Sequence, residues 1–243
     1  MATQEDERNQ KRGTFRTIRS LSEIENSIFS PECQAFVGGM FTLGAIRFGD
    51  FKWTFHNDYP DAPLAPMYFE ARMVRRHPIV RNYPVDILQS EISGLKFDMV
   101  ADVPTGITPT VALLAERLRV GMVSPRKEAK GKGSGAIVDG FLQEDKGKIV
   151  VLIDDVLARG DSKLILAENL KKEGAIVKDI ANLMDYEIGG RLVLEQSGYN
   201  VHSAFTAKQL LDHLHLSGMI DKKERDRVLK RLSEIREFFK KIN

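Results

Sequence analysis

Ile149-Val150-Val151-Leu152-Ile153-Asp154-Asp155-Val156-Leu157-Ala158-Arg159-Gly160-Asp161-Ser162 is an apolar run closed by two adjacent carboxylates and a small-residue turn. Its first five residues, all Ile, Val or Leu, read as a parallel strand covered on both faces. Beyond the turn, Leu164, Leu166, Ala167 and Leu170 carry helical spacing. The turn therefore belongs at the carboxyl edge of a sheet. There, amides at a helix N-terminus can hold a phosphate, and two carboxylates can accept hydrogen bonds from neighbouring sugar hydroxyls. Standing alone, an acidic pair would be an ordinary solvated turn with Asp161 or Ser162 as N-cap. The full succession of strand, acidic pair, glycine turn and helix favours the sugar-phosphate reading.

The rhythm continues on both sides. Strands are predicted over 97–101, 121–124, 149–153, 177–184 and 200–205, with helices over 84–93 and 109–118. Strands alternating with helices predict an α/β fold: an open, mostly parallel sheet with helices on both faces. Upstream, Ser22 and Glu25 form a capping-box pattern ahead of Ile24, Ile28 and Phe29, which predicts a first helix. A second apolar stretch over 33–43 leads to a turn and short strand over 44–51. The stretch 54–66, with Pro60, Pro63 and Pro66, reads as an extended loop. Downstream, Leu210, Leu211 and Leu214 mark one amphipathic helical face, and Val228, Leu232, Ile235, Phe238 and Phe239 another. The expected organisation is a disordered tail over 1–13, N-terminal helices and a small hood over 14–80, the α/β core over 81–205, and C-terminal helices over 206–243.

Composition narrows the function classes. At 243 residues with 29% charged and 42% hydrophobic side chains, the chain can bury a large core. A formal net charge of +2 gives little support to bulk nucleic-acid binding, and acidic residues among the C-terminal lysines and arginines favour a solvated helix face. One cysteine, Cys33, cannot form an internal disulfide. No apolar stretch approaches the roughly 20 residues a membrane helix needs, and residues 1–12 lack the apolar region of a secretion signal. A cytoplasmic protein is expected, with neither nucleic acid nor membrane as partner. His56, His77, His202, His213 and His215 are scattered in a way that calls for no transition metal.

Two further segments suit a phosphorylated ligand. Arg126-Lys127-Glu128-Ala129-Lys130-Gly131-Lys132-Gly133-Ser134-Gly135 gathers four cations among three glycines, a composition that does not pack. It reads as a basic lid over a polyanion or as a disordered basic linker; its place between core strands, just ahead of the acidic turn, favours the lid. Asp102-Val103-Pro104-Thr105-Gly106-Ile107-Thr108-Pro109 is another strand-to-helix turn, fit to be a second phosphate cradle at Thr105 and Gly106. Alternatively, Thr108 is only a helix N-cap with Pro109 at the first helical position.

Together these stretches resemble the type I phosphoribosyltransferases, and more closely the orotate phosphoribosyltransferase family. The stretch Asp154 through Ser162 matches the signature for phosphoribosyl diphosphate, and Arg126 through Gly133 is similar to the orotate enzymes' catalytic loop. Similarity also runs through Gly44 to Phe51, Pro66-Met67-Tyr68-Phe69, Pro104 to Pro109 and Leu183-Met184-Asp185-Tyr186-Glu187-Ile188-Gly189-Gly190, from about residue 40 to about residue 240.

The resemblance implies Mg²⁺-assisted transfer of ribose 5-phosphate from phosphoribosyl diphosphate to a pyrimidine, with orotate as acceptor in de novo pyrimidine synthesis. Lys130 would be the catalytic lysine that neutralises departing diphosphate, aided by Arg126, Lys127 and Lys132, each donor supplying on the order of 3 kcal/mol. Asp154 and Asp155 would hold the ribose hydroxyls. The donor site would comprise them with Val156, Leu157, Ala158, Arg159, Gly160, Asp161, Ser162, Thr105 and Gly106. The base side is assigned to Tyr68, Phe69, Arg159 and Tyr186. Mg²⁺ would be carried mainly by the donor, without a dedicated protein metal cage, and the active unit would be a homodimer with shared sites.

The chain also departs from the family pattern. Thr54-Phe55-His56 stands where the family has a lysine followed by Ser-Gly, Arg159 where it has a small residue, and Lys132 where many members have histidine. Tyr186 replaces the arginine that recognises the orotate carboxylate, and a hydroxyl cannot substitute for a bidentate cation. Either Arg159 or another cation restores carboxylate recognition, or the pocket takes another nucleobase. A third reading is a regulator that senses phosphoribosyl diphosphate without turnover, which retention of Lys130 opposes.

Overall fold

The structure is a computed structural model that describes residues 29–128 and 136–242. The helix expected from Ser22 lies outside the described residues except at Phe29. Phe29 is buried, and its ring meets Phe205 edge-on at 5.5 Å.

Helix α1 (Pro31–Thr42) starts where Ser30 accepts a hydrogen bond from the Cys33 amide and Pro31 presets the helical φ. It buries Phe36, Val37 and Met40. Strand β1 (Ile46–Phe51) pairs antiparallel with β2 (Ala65–Phe69), with an irregular register between Phe48 and Phe51. The expected loop between them is shorter than 54–66: it holds a 3₁₀ turn at Thr54–Asn57, and Ala65 and Pro66 already belong to β2. Pro66 is tolerated there because this two-stranded sheet is all edge.

Helix α2 (Tyr83–Ile92) leads into the main unit: β3 (Met99–Asp102), α3 (Thr108–Leu118), β4 (Gly121–Pro125), β5 (Val138–Asp139), β6 (Val150–Leu157), α4 (Asp161–Glu173), β7 (Asp179–Asp185), α5 (Gly190–Gln196) and β8 (Asn200–Thr206). The sheet order is β5-β4-β3-β6-β7-β8, parallel except for β5 against β4. The predicted parallel α/β sheet is present. The apolar residues of its central strands alternate between two cores. Val100, Val151, Ile153 and Ala181 join α1, α2 and α3, whereas Ala101, Val150, Leu152 and Ile180 join α4 and α5.

Strand β6 runs past the expected end at Ile153 to Leu157, pairing Asp154 with Asn182 and Val156 with Met184. The acidic pair therefore stands in the strand, not after it. The two C-terminal helices, α6 (Ala207–Leu216) and α7 (Lys222–Lys240), bury the predicted faces. Leu210, Leu211, Leu214, Val228, Leu232, Ile235 and Phe239 lie in the core that also holds the hood. Arg227 and Arg231 donate to the carbonyls of Pro66 and Leu64 at 3.3 and 3.5 Å, so α7 closes back over β2. Among the described residues, no helix is long and apolar enough to cross a membrane.

Candidate active site

The sheet order makes the site. From β3 the chain crosses through α3 to β4 on one side, whereas from β6 it crosses through α4 to β7 on the other. The loops leaving β3 and β6 diverge to opposite faces, and a crevice opens between them at the carboxyl edge.

On the β3 side, fully buried Asp102 accepts hydrogen bonds from the Ser124 hydroxyl at 2.5 Å and from the Thr108 hydroxyl. Thr108 is thus the first residue of α3, tying helix to strand, rather than its N-cap; Ile107 occupies the cap position with no side-chain hydrogen bond. The arch between them exposes Thr105 and leaves Gly106 half-buried. A Cβ on Gly106 would stand 3.0 Å from Asp155 Oδ2, so the missing side chain is what lets Asp155 face this arch.

On the β6 side, Gly160 takes φ of 90° at the N-cap of α4, and its carbonyl accepts from the Lys163 and Leu164 amides at 2.9 and 3.0 Å. The Asp161 and Ser162 amides, ahead of these two, stand at the N-terminus of α4, the end of a helix that suits an anion. Gly190 presses on this loop from α5: a Cβ there would meet the Ala158 carbonyl oxygen at 2.1 Å. Asp155 accepts from the Val156 amide at 2.8 Å. Burial, and next the charge of Asp154 and a hydrogen bond to it, push the Asp155 carboxyl up to about 8 against the attraction of Lys163.

The acceptor side is aromatic. Tyr186 is buried, with its ring centroid 4.2 Å from that of Trp53. Burial, then the neighbouring Asp155 charge, raise its hydroxyl far above the ordinary phenol range, with the Phe69 backbone acting the other way. Tyr68 is half-buried beneath the Arg47 guanidinium, 5.1 Å from its ring centroid. Trp53, Phe55, Phe239 and Tyr59 continue the cluster at centroid spacings of 5.0 to 5.8 Å.

The expected residues fall into two groups. Thr105, Gly106, Asp154, Asp155 and the stretch from Val156 to Ser162 line or underlie the crevice, with Tyr186 and Tyr68 beside it. Three side chains point elsewhere. The Arg159 guanidinium lies 4.0 Å over the Phe239 ring and 5.0 Å from Tyr59, with Nε donating to Asp161 at 3.1 Å, so its charge is spent on fastening α7. The Phe69 ring packs into the core against Phe36 and Phe205, leaving only its backbone near Tyr186. Arg126 pairs with Asp139, and its carbonyl accepts from Asn169 at 2.7 Å; the root of the basic segment is packed where composition predicted none of it would be. Lys127 is exposed beside it, whereas Lys130 and Lys132 lie outside the described residues.

Lys163, Trp53 and Arg75 escaped the sequence reading. Lys163 is buried against Asp154; a lysine in the first turn of a helix opposes the helix dipole, and that misplacement was the available signal. Arg75 comes from a 3₁₀ turn (Ala71–Arg76) and donates to the carbonyls of Thr105 and, at 3.2 Å, Gly106, which brings a guanidinium to the β3 arch. Nothing in its local spacing announced that contact, which spans 30 residues.

No family model matches the chain. It is 32% identical over 190 residues to the orotate phosphoribosyltransferase of Cenarchaeum symbiosum (strain A), covering 76% of this chain and 90% of that one. It is 31% identical over 182 residues to the bifunctional enzyme PyrF/PyrE of Nostoc sp., covering 75% of this chain but spanning only 36% of that longer protein. Among solved structures, the orotate phosphoribosyltransferase from Aeropyrum pernix superposes with a TM-score of 0.64 at 26% identity, over 76% of this chain and 99% of that one.

Proposed function

We propose that the chain, which belongs to the orotate phosphoribosyltransferase family, transfers ribose 5-phosphate from phosphoribosyl diphosphate to a ring nitrogen of orotate. The products are orotidine 5'-phosphate and diphosphate, a step of pyrimidine synthesis. The observation that carries this reading is the placement of Asp155 against Gly106 at the switch point, between a helix N-terminus and a backbone arch. A sugar phosphate spans these features in order: 5-phosphate at the α4 amides, ribose over the acidic pair, diphosphate toward Thr105, Gly106 and Arg75.

As the bond from the anomeric carbon to diphosphate oxygen breaks and the bond to the base nitrogen forms, positive charge develops on the ring and negative charge on the leaving group. Asp155, in its ionised form, favours the first, and Arg75, Lys127, Lys130 and Lys132 the second; catalysis is chiefly positional and electrostatic. Mg²⁺, when bound with the donor, supplies further neutralisation of the diphosphate. A hydrated ion carried by the oxygens of the donor suits Mg²⁺, which keeps several of its waters when bound. The active unit is a homodimer in which the basic segment of one protomer completes its partner's site. Buried, free Cys33 suits the reducing cytoplasm.

Incubation with phosphoribosyl diphosphate, Mg²⁺ and orotate, uracil or adenine in parallel tests the acceptor, with orotidine 5'-phosphate expected from orotate alone. Turnover with another base but not orotate overturns the acceptor; donor binding without any turnover replaces the enzyme by a sensor. Mixing K130A and D155N protomers tests the shared site, since hybrid dimers should regain about a quarter to a half of activity by restoring one intact site.

A further inference from the structure

The two carboxylates of the acidic pair are not equivalent. Asp154 is 6% exposed and Lys163 2%, and Lys163 Nζ lies 2.5 Å from Asp154 Oδ2. The same ammonium donates to the Val156 carbonyl at 2.6 Å, and the other Asp154 oxygen accepts from the Asp155 amide at 2.8 Å. Both oxygens of Asp154 are therefore engaged inside the protein. Asp155 differs: one oxygen accepts from the Val156 amide, while Oδ2 is the atom nearest the open side of Gly106.

We propose that Lys163 is a positioning residue that neutralises Asp154 and withdraws it from sugar recognition, leaving Asp155 as the one carboxyl presented to the ribose hydroxyls of the donor. The inference rests on the proposed reaction, in which a donor bearing three phosphoryl groups must settle onto this floor. The proton that burial and Asp154 hold on Asp155 leaves Asp154 as the charge that would repel such a polyanion, and the fixed Lys163 cation beside it offsets that charge. Geometry links this to the phosphate loop. Lys163 is the third residue of α4, and its bond to Val156 holds the end of β6 where the loop departs. A direct contact of Lys163 with the 5-phosphate would instead require breaking both of its bonds and bringing a buried ammonium to the surface.

Removing the two charges together separates these roles. K163M should raise the KM for phosphoribosyl diphosphate about tenfold by exposing the donor to an unbalanced carboxylate, with the KM for orotate unchanged. D154N/K163M, which leaves no buried charge unpaired, should recover most of the donor affinity lost in K163M, whereas D155N should lose about a hundredfold in kcat/KM. A double variant no better than K163M would mean that Lys163 binds the donor itself. A double variant as impaired as D155N would mean that both carboxylates hold the ribose; either result overturns the proposal. Should K163M not fold, the comparison of D154N/K163M with D155N and wild type decides alone. Calorimetric binding of phosphoribosyl diphosphate to the same variants keeps this test valid if the wild type transfers ribose to no base, a result that would sink the proposed reaction and not this inference.

Discussion

The donor half and the acceptor half of the site are built in opposite ways. The donor half is polar and local: Asp102 to Thr108 and Asp154 to Lys163 each leave a strand, turn and enter a helix, and nearly every polar contact within each stretch spans fewer than ten residues. The acceptor half is aromatic and long-range: Trp53 meets Tyr186, and Phe55 meets Phe239, across most of the chain. Sheet topology fixes the first, because a parallel strand must deliver its loop to the carboxyl edge. Packing of the hood and C-terminal helix fixes the second. Substitutions in one half should therefore move the kinetics of one substrate and spare the other.

The largest separation is expected at Asp155. D155N should reduce kcat/KM for the donor about a hundredfold while leaving the KM for orotate within about threefold, measured by initial rates. The same carboxyl sets a pH dependence of the ligand-free protein. Its folded value of about 8 lies above the ordinary 3.8, so the folded chain binds this proton more tightly than the unfolded one. That stabilisation is complete below about pH 4 and is lost as pH rises through about 8. Thermal melts of wild type should decline across this window more steeply than those of D155N, which cannot ionise. Equal slopes would remove the burial argument for Asp155.

Gly190 probes the same half without touching a ligand. An alanine Cβ would collide with backbone of Ala158 and Arg159, at 2.1 to 2.9 Å, so the phosphate loop itself must shift. G190A should cost about 2 kcal/mol of stability and raise the donor KM about tenfold, read from denaturant unfolding and initial rates. An unchanged donor KM would show that the loop's position is not what binds the phosphate.

These contrasts also explain what the sequence could and could not reveal. The sheet, its parallel strands and both loops were legible because strand, turn and helix signals follow one another within about fifteen residues. The true end of β6 was misread because two acids after an apolar run look like a strand's end. The charge of Asp154 is absorbed by Lys163, a partner outside the strand pattern. Arg159 was legible as a cation but not as a clamp, because Phe239 and Tyr59, the rings it covers, lie 80 and 100 residues away in sequence. Tyr186 was recognised as a departure, yet only packing reveals Trp53 over it.

On the acceptor side, W53A should uncover Tyr186 and raise the orotate KM about fivefold with little change in the donor KM, at a stability cost of about 3 kcal/mol for a partly buried indole. A matching rise in the donor KM would erase the division between the halves.

The smallest effect, and the one that bears most on the acceptor, is expected at Arg159. With the guanidinium over Phe239 and Tyr59, R159L removes a cation–π fastening worth about 1 kcal/mol, a fall in Tm of about 3 °C for a chain of this size. The orotate KM should change less than about threefold, because the arginine's charge faces rings of α7 and the hood. A hundredfold rise would mean that the guanidinium leaves Phe239 to grip the orotate carboxylate when the base binds. In that event Arg159 would supply from the donor loop the cation that Tyr186 lacks, joining the two halves at a single side chain.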